Sequence, residues 1–369
     1  MKKLLIDARG EESVVLVSVV PPGTGSWQQE MVQEEMKGLV EAAGGIVLVQ
    51  VCQQLARPRG ATYLGTGKME ELKMVISELQ PDRIVFGGEL TPVQVRNLEQ
   101  ELELPVVDRT MLVLDIFNRR ARTREAMLQV ELARLEYLLP RLTGKGKGLS
   151  RTGAGIGTRG SGEQRLELDR RRVRKRIREI RRQLENIEKT RLLHRQRRSR
   201  AGLKVVSLVG YTNAGKSTLF NSLCRAAHST GSSQVEADSR LFQTLDTTTR
   251  KLRSNGGYEF LVTDTVGFIQ DLPHHLVAAF RSTLAEAIEA DLLLHVVDVA
   301  DPAYLEKISV VERVLEELGA ERDKIFTVFN KIDLRSPDAI KAGQGIAVSA
   351  QTGKGIEDLL ALLADRLSP

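Results

Sequence analysis

The chain of 369 residues contains only two cysteines, Cys52 and Cys224. Cys52 lies in an apolar run and Cys224 follows a glycine-rich motif, so the two thiols are widely separated in the sequence. Two such scattered thiols argue against a disulfide framework and against a zinc site, and they are typical of a protein in a reducing compartment.

A long apolar run is also missing. No segment approaches the ~20 consecutive apolar residues that a helix needs to span a bilayer. The short apolar start of the chain is ended by Asp7 and Arg9, too early for a signal peptide. We therefore expect a cytoplasmic, monomeric protein whose association with membranes is at most peripheral.

Acidic residues are scarce in one part of the chain. Residues 116–200 hold 26 Lys and Arg against 9 Asp and Glu, a net charge of +17, whereas the remainder holds 28 against 39, a net charge of −11. The overall charge of +6 therefore hides a basic segment in an acidic protein. Such clustering favours a partner with a phosphate backbone, and we expect RNA and no DNA.

Residues 210–217, the phosphate loop, fit the pattern G-x-x-x-x-G-K-[ST]. The apolar run 203–209 precedes them and a predicted helix follows, which is the context that the pattern requires. There, successive N–H groups and the helix N-terminus bind phosphates, the lysine reaches the β- and γ-phosphates, and the hydroxyl binds Mg²⁺. Taken alone, the pattern also suits a glycine-rich turn with an exposed lysine. The residues are Gly210, Tyr211, Thr212, Asn213, Ala214, Gly215, Lys216 and Ser217.

Two further motifs belong around the phosphates. Thr244 is the first of them. Asp264 follows the apolar run 260–263, which places a carboxylate at a strand end beside the phosphate loop, where the outer magnesium contact is expected. Gly267 can offer its N–H to a γ-phosphate and move when that phosphate leaves.

The last two motifs belong around the base. Asp333 comes shortly after the apolar run 325–329, and its carboxylate can accept two hydrogen bonds from an edge of guanine that adenine lacks. Ser349 and Ala350 follow the run 345–348 and supply a backbone amide for guanine O6. Each short motif alone is usually an ordinary loop, but five in order, four of them at strand ends, predict bound GTP with Mg²⁺.

With these motifs the chain resembles a translation-type P-loop GTPase, and more closely the HflX family. The closer resemblance rests on specific strings that span nearly the whole chain: residues 63–68, 108–117, 129–132, 138–142, 242–246 and 264–276. The family's pattern implies that Ser217 and Thr244 bind Mg²⁺. It also implies that the nucleotide contacts, besides the phosphate loop, Phe242, Gln243, Thr244, Leu245, Asp246, Asp264, Thr265, Val266, Gly267, Asn330, Lys331, Ile332, Asp333, Ser349, Ala350 and Gln351.

Phe268 departs from the Ras-like arrangement, in which a glutamine after the glycine orients the attacking water. Phenylalanine cannot do this, so we expect slow intrinsic hydrolysis and leave the group that positions water unknown. Lys216 is expected to stabilise charge in the transition state. The resemblance implies that a ribosomal surface stimulates the reaction, although Phe268 could equally be a buried residue of the switch.

The basic segment has the periodicity of two helices. Leucines at 128, 132, 135, 139 and 142 follow a 4-3-4-3 spacing, and Val173, Ile177, Ile180, Leu184 and Ile187 repeat it. Two matching apolar seams predict a long antiparallel helical hairpin. Few acids are near enough to pair the arginines around the second seam, which favours RNA binding over a merely solvated face.

Between the two predicted helices, residues 143–162 contain eight glycines, four Lys or Arg and no acid. Such a segment suits a mobile basic tip that orders on RNA, or a plain flexible linker. The resemblance implies a loop that reaches toward the peptidyl-transferase region of the large ribosomal subunit. The candidate RNA-binding residues of the tip and of the second helix are Lys145, Lys147, Arg151, Arg159, Arg171, Arg174 and Arg178.

The predicted fold class is α/β: a P-loop GTPase domain preceded by a small α/β domain and the hairpin. Predicted strands at 14–20, 45–52, 83–87 and 105–107 alternate with predicted helices, which indicates a largely parallel sheet at residues 1–115. The hairpin would occupy 116–200 and the GTPase domain 201–369. Within the first domain, Gly65 and Gly67 suit a turn and helix start better than a second nucleotide site.

Two functions remain open at this stage. One is a GTPase that binds the large ribosomal subunit in its GTP state, separates or keeps apart the ribosomal subunits, and is released on hydrolysis, in recycling or rescue under stress. The other is a nucleotide-gated RNA-binding or remodelling protein with a non-ribosomal target. A protein-signalling switch is a third and weaker option. Residues 228–233 suggest a lengthened switch I, and the end at Pro369 suggests that a C-terminal domain of some relatives is missing.

Overall fold

The computed structural model describes residues 12–142, 161–200, 202–227, 242, 247–254, 257–269, 288–335 and 345–367. They form two compact units, one from Met1–Arg119 and Val130–Arg181 and the other from Arg120–Gln129 and Arg182–Pro369. None of the helices within these ranges combines the length and the apolar character needed to cross a membrane.

The first unit contains a four-stranded parallel sheet with the strand order β2-β1-β3-β4. Strand β1 has five consecutive buried residues at 14–18, as expected for a strand covered by helices on both faces. The predicted alternation of strands and helices is confirmed. The elements are β1 (Glu12–Val20), α1 (Ser26–Ala42), β2 (Gly45–Gln54), α2 (Thr66–Leu79), β3 (Arg83–Phe86), α3 (Pro92–Leu102), β4 (Val106–Asp108) and α4 (Arg109–Arg120).

Gly65 immediately precedes α2, and its N–H donates to Gln53 Oε1 at 3.0 Å. The interpretation of this glycine as part of a turn that starts a helix is therefore confirmed.

A buried carboxylate, Asp108, joins the carboxyl edge of this sheet to two helices. It accepts hydrogen bonds from the N–H groups of Leu90 (3.0 Å) and Met111 (2.9 Å), the latter at the start of α4. Arg141 lies 3.5 Å from Asp108 and donates to the Leu90 carbonyl at 2.6 Å. Tyr137, also hydrogen-bonded to Asp108, lies beneath the Arg141 guanidinium, and burial raises the pKa of its hydroxyl far above the usual range. This set of contacts is the Asp108 anchor.

The basic segment forms α5 (Arg124–Arg141) and α6 (Ser161–Arg200). Ile177 and Ile180 of the predicted seam are buried, as are Leu128 and Leu132 of the other. The helices run antiparallel, because Arg170 donates to the Leu142 carbonyl whereas Arg191 pairs with Glu125, further back along α5. The predicted hairpin is confirmed. Helix α6 extends beyond the seam at both ends, and it takes in residues 161–162 of the predicted tip.

The second unit contains a six-stranded sheet with the order β10-β9-β8-β5-β7-β6, parallel except for β6 against β7. Its strands fit the predicted apolar runs, except that β6 and β8 were not among them. Its elements are β5 (Lys204–Val209), α7 (Lys216–Ala226), β6 (Thr248–Arg253), β7 (Glu259–Asp264), β8 (Leu292–Asp298), α8 (Tyr304–Glu317), a 3-10 turn (Arg322–Lys324), β9 (Ile325–Asn330), β10 (Gly345–Ala347) and α9 (Ile356–Leu367).

The core of this sheet is built from alternating residues of β8 with Leu219, Phe220 and Leu223 of α7 and Leu359 and Leu363 of α9. Parallel packing brings the carboxyl ends of β5, β7, β8, β9 and β10 to one edge. In an open α/β sheet this edge is where ligands bind. All four motifs expected at strand ends lie there.

Candidate nucleotide-binding site

The phosphate loop connects β5 to α7 and requires glycine at both ends. Gly210 and Gly215 adopt φ values of 150° and 87°, which other residues rarely adopt. A Cβ on Gly210 would lie 2.3 Å from the Val296 carbonyl oxygen, and one on Gly215 would lie 2.4 Å from Asn330 Nδ2. The loop is thus held against β8 and β9, and its curvature is suited to an anion at the start of α7.

Lys216 is buried inside this loop. Its Nζ donates to the carbonyl oxygens of Tyr211 (2.9 Å) and Gly210 (3.1 Å). Burial lowers the pKa of the Lys216 ammonium to about 8, and the nearby Asp264 opposes that shift. A phosphate group would give this ammonium charged acceptors in place of neutral carbonyls, and charge-assisted hydrogen bonds are the stronger kind.

Ser217 and Asp264 fit a magnesium ion. The Ser217 hydroxyl donates to Asp264 Oδ2 at 2.7 Å, and Asp264 is buried at the end of β7. A hydroxyl and a carboxylate are the hard oxygen ligands that Mg²⁺ prefers. Over the ranges described, no three His, Cys, Asp or Glu side chains form a metal site of their own. A magnesium ion here would share its coordination with nucleotide phosphates, as Mg²⁺ commonly does.

The segment after Asp264 lies along the phosphate loop. Phe268 N–H donates to the Gly210 carbonyl at 3.0 Å, and the Thr212 N–H donates to the Phe268 carbonyl at 2.7 Å. The Phe268 side chain is buried and carries no polar atom, so it cannot hold a water molecule for attack. Thr265 is buried too, and its hydroxyl donates to the Leu208 carbonyl at 2.6 Å. These contacts place Val266 and Gly267 beside the phosphate loop.

The Asn330 side chain links the base-binding loops to the phosphate loop by hydrogen bonds. Its Nδ2 donates to the Ala214 carbonyl at 2.9 Å, and its Oδ1 accepts from the Ala350 N–H at 3.0 Å. The side chain is buried, and both of these hydrogen bonds are with protein backbone. Ser349 has a related role, because its hydroxyl accepts from the Thr352 N–H at 3.1 Å.

Asp333 contrasts with Asn330, since it is exposed three residues further on. Its carboxylate is thus available to a base at this edge. Ile332, which precedes it, is buried, and Gln351, which follows Ala350, is exposed.

Some predicted site residues lie outside the described ranges. Phe242 lies within them, and it is buried with a left-handed φ of 53°. The residues of the nucleotide and magnesium predictions that lie outside the described ranges are Gln243, Thr244, Leu245 and Asp246. Those of the RNA prediction are Lys145, Lys147, Arg151 and Arg159. These assignments stay predictions.

The expectation that few acids pair the arginines of α6 was wrong in part. Arg176 makes a bidentate pair with Glu131 (both 2.7 Å), and Arg181 pairs with Glu136 at 2.8 Å. Both acids come from α5, so the pairing depends on the register between the helices and not on neighbours in sequence.

Two of the three predicted RNA contacts on α6, Arg171 and Arg178, lie on a different side of the helix from Arg176 and Arg181. Arg171 and Arg178 are exposed, and no ion pair of theirs is found with any described residue. Arg174 is also exposed and lies 3.7 Å from Glu167.

The loop after β8 holds site residues that the motifs did not reveal. Asp298 ends β8 and pairs with Lys331 at 2.6 Å. Asp301 pairs with Lys307, whose ammonium lies 4.8 Å from the centre of the Tyr211 ring in the phosphate loop. An acid directly after a buried apolar run was the available signal, the same signal that identified Asp264.

One edge of the parallel strands carries the phosphate loop, the Ser217–Asp264 pair, the Asn330 side chain and the exposed Asp333. Together they define a P-loop guanine-nucleotide-binding protein. Comparison with known proteins is more specific. A GTPase HflX from Caldanaerobacter subterraneus subsp. tengcongensis is 48% identical over 96% of this chain and 80% of its own length. The GTPase HflX of Escherichia coli is 44% identical over 91% of this chain and 79% of its own. The chain belongs to the HflX family of GTPases, and it is a GTP hydrolase.

Family descriptions agree with this assignment, and one solved structure shares the fold. Residues 30–118 match the family "GTP-binding GTPase N-terminal", residues 120–198 match "GTP-binding GTPase Middle Region", and residues 205–331 match "50S ribosome-binding GTPase". The crystal structure of SsGBP in complex with GDP has a TM-score of 0.53 and 24% identity, covering 97% of this chain and 100% of that one. At this identity the likeness concerns the fold.

Proposed function

We propose that this GTPase binds the large ribosomal subunit in its GTP state, separates or keeps apart the ribosomal subunits, and is released when GTP is hydrolysed. Recycling or rescue of ribosomes under stress would use such a cycle. The family described as a 50S ribosome-binding GTPase supports the choice of partner. The observation that carries the proposal is the exposed basic face of α6.

That face is the side of α6 turned away from its buried seam. Arg171, Arg178 and Arg182 are spaced seven and four residues apart, which aligns them on one side of a helix. All three are exposed, whereas Ile177 and Ile180 of the seam are buried. A row of exposed guanidinium groups suits contacts with phosphates along an RNA backbone.

The residues of the nucleotide site would determine how fast GTP is hydrolysed and hence how long the protein stays bound. The buried Phe268 cannot orient water, so we infer that hydrolysis is slow until the ribosome supplies or positions the missing group. Lys216 and Ser217 would hold the phosphates and Mg²⁺. Movement of Gly267, next to the phosphate loop, would report the loss of the γ-phosphate. We assign these tasks to residues 201–369, RNA contact to residues 116–200, and support of the hairpin to residues 1–115.

Cosedimentation with isolated large subunits tests this proposal. We expect the protein loaded with a non-hydrolysable GTP analogue to cosediment more strongly than the GDP-bound or nucleotide-free protein. Equal binding in all three states would contradict control of ribosome binding by the nucleotide. Strong binding to unrelated RNA would favour a non-ribosomal target.

A matched pair of variants tests the basic face itself. The double variant Arg171→Gln/Arg178→Gln should reduce cosedimentation and its salt dependence, because each lost phosphate contact lowers the salt slope by about 1. Arg225→Gln/Arg313→Gln removes the same charge from exposed positions of the second unit and should leave binding unchanged. Equal losses in both variants would show that only net charge matters.

A further inference from the structure

We propose that Asp298 is a positioning residue for guanine-nucleotide binding, because it holds Lys331 in place as a preformed wall of the base pocket. Asp298 belongs to no motif by which the site was recognised. It ends β8 and is the residue paired with Asn330 across the β8–β9 ladder. Its position is thereby fixed relative to the strand that carries the base-binding residues.

The two oxygens of the Asp298 carboxylate have separate partners. Oδ1 accepts the Ala300 N–H at 3.0 Å and so stabilises the turn after β8. Oδ2 lies 2.6 Å from the Lys331 ammonium. Exposure of the two side chains is 17% for Asp298 and 25% for Lys331, so water screens this pair less than it screens a surface pair.

Lys331 lies between the two ends of the site. Its Cε is 3.9 Å from the position that a Cβ on Gly215 would occupy, so its aliphatic stem passes the last glycine of the phosphate loop. Asn330 precedes it and the exposed Asp333 follows two residues later. The Lys331 backbone is left-handed, with φ of 65°, which turns the chain sharply at this point.

In this arrangement the ammonium and the methylene groups of Lys331 have different roles. The ammonium is bound to Asp298, which leaves the methylene groups as the apolar surface between Gly215 and Asp333. A purine that reaches Asp333 from a phosphate held at Gly215 has to pass along those methylenes. With Lys331 already fixed, less side-chain entropy is lost when the nucleotide binds.

The size of the effect follows from that entropy. Immobilising one rotamer-rich side chain changes affinity by about 3- to 10-fold, and we expect losses of this size without Asp298. Dissociation should become faster. The single-turnover rate constant of bound GTP should stay unchanged, because Asp298 contacts neither Lys216 nor Ser217.

Four variants separate this role from a role in the turn. Fluorescent mant-GDP and mant-GTP would be used to measure affinity and dissociation for Asp298→Asn, Asp298→Ala, Lys331→Ala and the double variant Asp298→Ala/Lys331→Ala. Asp298→Asn keeps an oxygen for Ala300 N–H but loses the charge that holds Lys331. We expect both Asp298 variants to bind more weakly, and the double variant to bind no more weakly than Lys331→Ala alone.

Asp291→Asn is the matched control, since Asp291 precedes β8, at the opposite end of the strand from Asp298, and likewise divides its oxygens between a lysine, Lys204, and a backbone N–H, that of Val205. It should leave both nucleotide affinities unchanged. Wild-type affinity in Asp298→Asn alongside weak binding in Asp298→Ala would assign Asp298 to the turn and overturn the proposal. Full additivity with Lys331→Ala, or a slower single-turnover step, would overturn it as well. None of these measurements needs a ribosome, so their outcome is independent of the proposed partner.

Discussion

Asp108 and Asp264 occupy similar places in the two sheets and serve opposite purposes. Each is the last residue of a parallel strand, each is buried, and each contacts the first turn of a helix. Around Asp108 the protein supplies two backbone N–H groups, a tyrosine hydroxyl and Arg141. Around Asp264 it supplies the Ser217 hydroxyl, with Lys216 nearby.

The cations beside these acids differ in the same way. Arg141 lies 3.5 Å from the Asp108 carboxylate and donates to the Leu90 carbonyl at 2.6 Å. The hydrogen bonds of Lys216 with the described residues go to backbone carbonyls of its own loop. A buried charge that is paired with an opposite charge of the protein stabilises the fold. A buried ammonium that is bonded only to neutral oxygens is suited to bind the anionic group of a ligand. An acid at the carboxyl end of a parallel strand can therefore serve either to stabilise the fold or to bind a ligand.

Removing the carboxylate charge of the anchor should have the largest effect on stability. Asp108→Asn leaves the Arg141 guanidinium without its buried counter-charge, and breaking a buried pair in this way lowers the free energy of unfolding by about 3–5 kcal/mol. Urea unfolding, with hydrogen exchange of residues 130–142 as the local probe, measures this loss. GDP affinity of the folded protein should not change.

The double variant Asp108→Asn/Arg141→Met is the control for this prediction. Because it removes both charges, it should recover much of the lost stability. A double variant as unstable as Asp108→Asn alone would mean that the ion pair is not what Asp108 contributes.

The opposite outcome is expected at the ligand-facing position. Lys216→Met should reduce GTP hydrolysis by about 10²- to 10³-fold, the loss typical for one preorganised donor to transition-state charge. It should not lower the stability of the nucleotide-free protein at neutral pH, because it removes an ammonium that burial destabilises. Single-turnover hydrolysis and urea unfolding would test the two halves separately. A strongly destabilised variant would make Lys216 an anchor like Arg141.

The pH dependence of stability provides an independent check. The folded-state pKa of Lys216 is about 8, below the ordinary value of 10.5, so the unfolded chain binds more protons between these two pH values. Lys216 therefore destabilises the nucleotide-free fold below about pH 8, and that penalty disappears as the pH rises towards the unfolded value. Wild type should gain stability relative to Lys216→Met over this window, by at most about 3 kcal/mol. A constant difference between the proteins would contradict the burial of a charged Lys216.

Local patterns predicted much of the fold and the outline of the site. The phosphate loop lies between a strand and a helix as predicted, because glycine spacing and apolar runs are properties of neighbouring residues. The seam of α6 was found from its spacing alone, and Ile177 and Ile180 are buried. The four motifs at strand ends converge because parallel strands bring those ends together.

The charge pairings that the sequence did not predict depend on partners far away in the chain. Asp108 carries the same local signal as Asp264, and only the approach of Arg141 makes it an anchor. The role of Asp298 depends on Lys331, and the pairing of Arg181 depends on Glu136 of the other helix. No short-range pattern specifies which distant side chain forms the ion pair with a given charged residue.

The smallest effects are expected on the surface of α6, where the same contrast between anchored and ligand-facing charges recurs. Arg181 pairs with Glu136 at 2.8 Å but is 61% exposed, whereas Arg178 is exposed without an ion pair to any described residue. Arg181→Gln should lower the free energy of unfolding by about 0.2–1 kcal/mol, the usual range for an exposed pair. Arg178→Gln should leave stability unchanged.

Binding of large subunits should reverse that order. Arg178→Gln should weaken cosedimentation and reduce its salt slope by about 1, because a phosphate contact is lost. Arg181→Gln should change cosedimentation less, since its charge is already neutralised by Glu136. The two substitutions remove the same charge from positions three residues apart on one helix, so long-range attraction is matched between them. Identical behaviour of both variants in both assays would mean that pairing within the hairpin does not decide which arginines are available to RNA.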